Sequence, residues 1–408
     1  MIKGKDIVCI SFTTWDGEFT KSTVQILSLL SKNNNVMFIE YPRTLKDLVK
    51  LFLTDKKQLA LRMLGLKKRL VTIESNRGTS LKHLVMPPTV PINFIKNKVV
   101  YRFLSRINTL MYSKKLQQIC KQNQIEAPII IGAYNPTYGL EAIGKLEESL
   151  NVYYCYDGMD INRNHWNTIE DEKEYCKNVD GIIASSDFLR DEKVQINEEC
   201  YSVKNGVDFQ LFAPFSKTTP SPKKSKKKIG YVGSLDYRFD IDLVEHTVRS
   251  LPEMKFEFTG YLSNHLIKDC LSKYSNVEFK KSVTPKEVPA LLASYDLGII
   301  PYNNLEINKG IYPLKANEYL AVGLPVVMTN FAPLSDFNTV AGISNSKAEF
   351  LQHLQSEIAN DSSIKIQKRI AFAKNNSWEK RAESFGDVLE VMWNQKNKQY
   401  SKLNSVIN

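Results

Sequence analysis

The sequence predicts an α/β protein made of two Rossmann-like halves, and three observations point that way. The chain has 408 residues, more than one ordinary core accommodates and enough for two or three domains. Short apolar runs of strand length alternate with helical stretches, the pattern of parallel strands joined by crossovers. The alternation breaks once, between Lys217 and Lys228, where six lysines stand with Ser, Thr and two prolines. That composition packs no core and reads as an exposed interdomain linker.

In the first half, strands are expected over 7–12, 36–40, 128–132, 152–156, 181–185 and 200–203. Helices are expected over 20–31, 46–64, 91–122, 137–150 and 170–178, with Thr20 or Ser22 capping the first. After the lysines the chain restarts with Ile229-Gly-Tyr-Val-Gly233. Strands then follow near 229–232, 255–259, 276–279, 297–300 and 325–329, with helices between them and a last helix from about Trp378. The expected organisation is a first domain over 1–214, a linker over 215–228 and a second domain over 229–377, with 378–398 returning to the first. Open parallel sheets bind ligands beyond their C-terminal strand ends, so the two domains should face each other across a cleft.

Apolar residues make up 43% and charged residues 24%, as in soluble globular proteins. No run of 18 apolar residues suggests a membrane-spanning helix. The start, Met1-Ile-Lys-Gly-Lys-Asp, lacks the features of a signal peptide. Cys9, Cys120, Cys155, Cys176, Cys200 and Cys270 show no metal-ligand spacing, which suggests reduced thiols in a cytoplasmic protein and no metal site. The net charge of +11 is concentrated: nine Lys or Arg lie between Arg43 and Arg69 against Asp47 and Asp55. The same stretch holds Leu48, Val49, Leu51, Phe52 and Leu53, and residues 91–112 repeat the theme around Phe94, Val99, Val100 and Phe103. Basic amphipathic helices suit an anionic membrane surface. Core-facing leucines beneath a solvated lysine face would read the same way. No nucleic-acid-binding motif accompanies the charge.

The segment with the most chemistry follows the buried run Asp296-Leu-Gly-Ile-Ile-Pro-Tyr302. A short helix begins near Pro313 and ends at Gly323-Leu-Pro325. A helix N-terminus carries partial positive charge and unpaired N–H groups, which suit phosphate. Lys315 adds a full charge in the first turn, and Glu318 is placed to hold ribose hydroxyls. Spacing alone fits a solvated Lys315 and a dipole-compensating Glu318 equally well. The order Pro-x-Lys-x-x-Glu-Tyr-Leu-Ala-x-Gly-x-Pro-Val-Val resembles the donor-binding element of GT-B fold glycosyltransferases. The likeness is to the family 4 (group 1) type that builds bacterial surface polysaccharides, and its teichuronic-acid and glucuronosyltransferase branches are the nearer ones. Lys204-Asn-Gly-Val-Asp208, Tyr231-Val-Gly-Ser234, Thr259-Gly260, Val277-Glu-Phe279, Val288-Pro-Ala-Leu-Leu-Ala-Ser-Tyr-Asp296 and Ser377-Trp-Glu-Lys-Arg381 fall in the matching order.

The resemblance implies transfer of a sugar from a nucleoside-diphosphate sugar, expected to be a UDP-sugar, without a bound metal or other cofactor. The acceptor would be a lipid-linked or growing polysaccharide at the cytoplasmic face of the membrane. Lys315, Arg238 and the amides near Gly233 and Ser234 are candidates for diphosphate charge, with Gly260 and Tyr302 bordering the nucleotide. Arg238 reads equally as a surface residue beside Asp236 and Asp240, and Tyr302 as a core tyrosine with its hydroxyl at the rim. A base should come from the first half, where Tyr153-Tyr-Cys-Tyr-Asp157-Gly-Met-Asp160 leaves a strand with two carboxylates. Asp157-Gly158 is also plain turn chemistry. Asp16 and, more weakly, His165 are acceptor-side candidates. Two departures stand out: Gly310 replaces the first of two glutamates eight positions apart, and Met159-Asp160 replaces a His-Asp pair. Both are tied to donor-sugar binding in retaining relatives, so the pattern shifts towards inversion with an aspartate base. The rivals are a sugar-nucleotide epimerase of the same architecture and a non-catalytic glycan- or nucleotide-binding module.

Overall fold

The computed structural model describes residues 2–16, 21–75, 77–159, 166–222 and 226–407. It divides into two compact units, Met1–Val203 with Ala382–Asn408, and Lys204–Arg381.

The first unit is built on β1 (Asp6–Ser11), β2 (Asn35–Ile39), β3 (Leu70–Glu74), β4 (Ser80–Leu84), β5 (Ile129–Ala133), β6 (Leu150–Cys155), β7 (Gly181–Ala184) and β8 (Cys200–Ser202). They form one sheet in the order β3-β4-β2-β1-β5-β6-β7-β8. All pairs are parallel except the edge pair β3–β4. Helices α1 (Ser22–Leu30), α2 (Leu45–Phe52), α3 (Lys57–Leu64), α4 (Lys98–Gln122), α5 (Pro136–Ala142), α6 (Trp166–Asn178) and α7 (Asp187–Lys193) supply the connections. The central strands are apolar throughout because helices cover both faces of a parallel sheet. Val8, Ile10, Met37, Ile39 and Ile130 pack with Leu116 and Ile119 of α4 on one side. Tyr153, Cys155 and Ile182 pack with Tyr175 of α6.

The second unit carries β9 (Lys228–Val232), β10 (Lys255–Thr259), β11 (Val277–Lys280), β12 (Leu297–Ile300), β13 (Val326–Thr329) and β14 (Gly342–Ser344). This sheet is wholly parallel, in the order β11-β10-β9-β12-β13-β14. Its helices are α8 (Phe209–Phe212), α9 (Ile241–Ser250), α10 (His265–Leu271), α11 (Val288–Ala293), α12 (Leu314–Ala321), α13 (Lys347–Ala359), α14 (Ser363–Asn375) and the start of α15 (Trp378–Ile407).

Several expectations change. The helix expected over 46–64 is two, because the chain leaves helical geometry after Phe52 and re-enters at Lys57. Thr44 starts the first with a reciprocal capping box to Asp47. The helix expected from 91 starts at Lys98, where the Asn97 side chain accepts from the amides of Val99 and Val100. Ser22 is the first helical residue of α1 rather than its cap, Lys21 holds the cap position, and Thr20 lies outside the described residues. Strands β3, β4 and β14 were not expected; they are short edge or near-edge segments with polar residues among few apolar ones. The second unit begins before the lysine-rich run, because Val207 and Phe212 are part of its core. The Lys217 amide donates to the Val322 carbonyl at 3.0 Å, so the run's first residue is fastened to that unit.

Candidate functional site

In a doubly wound sheet the ligand crevice opens where neighbouring strands send their connections to opposite faces. In the second unit that point lies between β9 and β12, the central pair from which strand order runs both ways. Gly233 and Ser234 leave β9 there, and Pro301 and Tyr302 leave β12. The first turn of α12 brings Lys315 to the same place. Its Nζ donates to Tyr302 Oη at 2.9 Å and lies 5.7 Å from the ring centre of Tyr231. Among the described residues no carboxylate stands within ion-pairing distance of this ammonium. The cap position of α12 is Pro313, with no side-chain cap, so the first-turn amides are left for a ligand.

Gly233 has a backbone φ of 143°, and a β-carbon on it would sit 2.0 Å from Lys315 Cε. Gly260, with φ 155°, leaves β10 beside it, and a β-carbon there would sit 1.8 Å from the Gly233 carbonyl oxygen. Only glycine at both positions lets three segments converge this closely. The Tyr231 hydroxyl donates to the Ser234 carbonyl at 2.7 Å, and Tyr319 Oη accepts from the Val232 amide at 2.8 Å. Thr329, ending β13, donates to the Tyr302 carbonyl.

Arg238 is half-buried and shares its guanidinium between a carboxylate and an aromatic ring. It pairs with Asp236 through Nε at 2.9 Å, and its guanidinium lies 5.3 Å from the Tyr302 ring centre. Asp240 takes no part and caps α9 at the Leu243 amide, 2.9 Å away. Burial pushes the Tyr302 phenol up, but the charges of Lys315 and Arg238 outweigh it and hold it below its usual value. Burial likewise raises the Asp236 carboxyl, and its bonds to Arg238 bring it below the ordinary range. Glu318, half-buried one turn after Lys315, has too little compensation to offset its surroundings. Burial raises its carboxyl from 4.5 to about 7, with Lys315 pulling only weakly the other way.

The sheet of the first unit reverses between β1 and β5. Phe12 follows β1 and packs edge-on against Tyr41 and Tyr134, with ring centres 5.0 and 5.7 Å away. Tyr134 follows β5 with φ at 51°, a left-handed backbone rare for a bulky residue. Its hydroxyl donates to the Gly158 carbonyl at 2.9 Å, which ties the exits of β5 and β6 together. Asp157 leaves β6 at this edge, and its Oδ1 accepts from the Gly158 amide at 2.9 Å, so turn chemistry does occupy one carboxylate oxygen. The Asp16 carbonyl accepts from Lys21 Nζ at 2.6 Å, which folds the 12–16 loop back on itself while the Asp16 residue stays exposed. Asp160 and His165 lie outside the described residues.

Sequence reasoning passed over Glu40, which ends β2 buried. It accepts from the Trp15 amide at 3.2 Å, and His83 Nε2 lies 3.2 Å from it. Burial alone would raise its carboxyl, but His83 and Arg43 bring it down to about 2. A carboxylate closing the apolar run Val36-Met-Phe-Ile-Glu40 was the available signal. Tyr231, Tyr319 and Asp236 were also passed over; Tyr319 lies one helical turn past Lys315, on the same face. Among the described residues no group of three or more His, Cys, Asp or Glu is placed to hold a metal ion.

The first unit presents an unusual surface. Leu48 and Leu51 of α2 are buried with Ala60 and Met63 of α3, yet Leu45, Val49, Phe52 and Leu53 of the same region are exposed. Phe94, Val99 and Phe103 are 76%, 78% and 65% exposed, interspersed with Lys96, Lys98 and Arg102. Among the described residues no helix is long and apolar enough to cross a membrane.

Two Rossmann-like units of this build define the GT-B fold class. The fold is shared along nearly the whole chain with sucrose-phosphate synthase from Thermosynechococcus elongatus (TM-score 0.61, 13% identity, 99% of this chain and 100% of that one). It is shared with Anabaena Alr3699/HepE, solved with UDP and glucose (TM-score 0.63, 12% identity, 95% and 99%). The catalytic domain of starch synthase IV from Arabidopsis thaliana, bound to ADP and acarbose, gives a TM-score of 0.65 at 12% identity over 96% and 100%. Residues 226–356 match the family model described as glycosyl transferases group 1, so the second unit carries a group 1 glycosyltransferase domain. TuaH of Bacillus subtilis (strain 168), named as a teichuronic acid biosynthesis glycosyltransferase, is 29% identical over 174 residues. That stretch is 40% of this chain and 44% of the relative's length.

Proposed function

We propose that the protein is a glycosyltransferase that moves a sugar from a nucleoside-diphosphate sugar, a UDP-sugar by preference, to a lipid-linked or growing polysaccharide acceptor. The observation that carries this reading is Lys315: an ammonium with no carboxylate partner among the described residues, laid across Gly233 beside the open N-terminus of α12. An anion is what such a place lacks. A diphosphate there supplies two charges, and in this reading Glu318, one turn on, takes the ribose hydroxyls.

In this mechanism the acceptor hydroxyl attacks the anomeric carbon as the bond from that carbon to the diphosphate oxygen breaks. Asp157 or Asp160 takes the hydroxyl proton, and the diphosphate leaves with its charge held by Lys315, Arg238 and the amides at Gly233 and Ser234. No metal ion or other cofactor is required, and attack with an aspartate base inverts the anomeric centre. The apolar, basic surface of the first unit holds the enzyme on the inner face of the cell membrane, where a lipid-linked acceptor lies. A soluble epimerase of the same architecture has no use for that surface.

The test is thermal unfolding with UDP, ADP, GDP and UDP-sugars in metal-free buffer, on the wild type and Lys315→Ala. A ligand specific to the folded state at a hundred times its Kd adds about 2.7 kcal/mol of stability. The expected result is a rise in Tm with UDP and one UDP-sugar that is largely lost in Lys315→Ala, whose own Tm without ligand is unchanged. An equal shift in both proteins would remove Lys315 from the diphosphate grip. No shift with any nucleotide would defeat the donor reading.

A further inference from the structure

The first unit holds a pocket of about 370 Å³ between the segment after β4 and helix α4, within the range of small-molecule sites, roughly 300–1,000 Å³. Pro87, Pro88, Val90, Met111 and Tyr112 line it, so most of its wall is hydrocarbon. The wall is fixed in advance. The Asn108 side chain accepts from the Val90 amide and donates to the Val90 carbonyl, both at 2.9 Å. On the other side Thr89 is clamped by backbone bonds to Arg43 and Leu45, each 2.9 Å. A recess pinned from both sides keeps its shape when empty, which lowers the cost of binding.

Two further features say what enters. Lys114 and Lys115 stand on the lining of the same pocket. Lys115 donates to Gln118 at 2.8 Å, and among the described residues neither lysine has a carboxylate within ion-pairing distance. Val90 and Met111 line the pocket and are themselves exposed, and Phe94, Val99 and Phe103, near them in sequence, are exposed as well. An apolar recess with two cations on its lining and exposed apolar side chains, Val90 and Met111, among its walls complements an amphiphile with a phosphate head. The Tyr112 hydroxyl is buried and has no hydrogen-bond partner among the described residues, a polar point on the wall that an ester oxygen would satisfy.

We propose that this pocket takes one acyl chain of an anionic glycerophospholipid drawn from the membrane surface, with its phosphate on Lys114 and Lys115. The inference rests on the membrane-surface reading above and deepens it: the first unit grips individual lipids as well as lying on the bilayer. It places a lipid-specific site beside the C-terminal edge of the sheet, since Thr89 lies on the chain leaving β4.

The experiment separates the pocket from the surface. Monomeric dioctanoyl phosphatidylglycerol, below its micelle threshold, is titrated into the full-length protein by calorimetry, with dioctanoyl phosphatidylcholine and farnesyl monophosphate as comparisons. Vesicles of long-chain phosphatidylglycerol are tested in parallel. The expected result is saturable one-to-one binding of the anionic lipid, at least tenfold weaker for phosphatidylcholine and for Lys114→Glu/Lys115→Glu. Met111→Trp, a change at an exposed wall position, should abolish uptake of the monomer with the far-UV circular dichroism unchanged. Phe103→Ser, away from the pocket, should weaken vesicle binding and leave monomer uptake intact. Vesicle binding without monomer uptake would overturn the pocket while leaving the membrane reading standing; loss of both would end both. Uptake of farnesyl monophosphate but not of phosphatidylglycerol would overturn the proposed occupant in favour of an isoprenoid phosphate.

Discussion

Glu318 shows how much one side chain's surroundings alter what its identity means. In the unfolded chain its carboxyl ionises near 4.5; in the folded protein burial lifts it to about 7, against a small opposing pull from Lys315. Between those values the folded state keeps a proton that the unfolded state has released. Stability therefore falls as pH rises across that window, the full contribution being present below it. A shift of this size corresponds to roughly 3 kcal/mol at most. Glu318→Gln removes the titration, so Tm against pH should be flatter for the variant, with its advantage over wild type growing from about pH 5 to pH 8. Parallel Tm profiles for the two proteins would show that Glu318 is not the group responsible. A carboxyl near 7 can also donate to a ribose hydroxyl at neutral pH, which an ordinary glutamate does not.

At the scale of elements, the geometry of the proposed donor site depends on how closely the end of β9, the end of β10 and the first turn of α12 approach. Gly233 and Gly260 are the contact points, and neither has room for a methyl group. Gly233→Ala sets a β-carbon into the Lys315 side chain. The flexible lysine gives way more readily than the strand, so the ammonium leaves Tyr302 while the fold survives. Expected are a Tm loss equivalent to about 1–3 kcal/mol, from overpacking and the positive φ, and a loss of UDP affinity comparable to that of Lys315→Ala. Calorimetry with UDP on both variants checks this; unaltered affinity in Gly233→Ala would mean that the ammonium's resting place is immaterial. In the first unit, the break of the expected 46–64 helix into α2 and α3 has a comparable effect. The two short helices bury one face against each other and leave Leu45, Val49, Phe52 and Leu53 outside.

For the whole molecule, the proposed membrane-surface role rests on the charge of +11 together with the exposed apolar residues. In that proposal electrostatic attraction brings the first unit to an anionic surface and insertion of apolar side chains holds it there. Sedimentation with phosphatidylglycerol vesicles should show binding that weakens from 0.05 M to 0.5 M salt, because screening shortens the reach of the lysines. A fraction should persist at high salt through Phe94, Val99 and Phe103. Binding that is abolished outright by salt would leave the apolar residues without a role, and equal binding to neutral vesicles would leave the charge without one.

Much of this was legible in the chain itself. Strand positions in both units followed from apolar runs of the right length, since a parallel strand buried on both faces has only one composition open to it. A turn at Gly233 and a helix starting near Lys315 were recognisable because both are local features; the donor-site roles of Lys315, Gly233 and Tyr302 came from the likeness to glycosyltransferases. Edge strands β3 and β14 were not, because pairing rather than composition makes them strands. Tertiary structure alone decided that β9 lies beside β12, that Lys315 rests on Gly233 with no carboxylate partner among the described residues, that Glu318 is half-buried with its carboxyl raised, and that Asn108 props open a pocket. Each of these brings together residues far apart in sequence, and which of them meet is set by how helices pack across a sheet, not by any local preference.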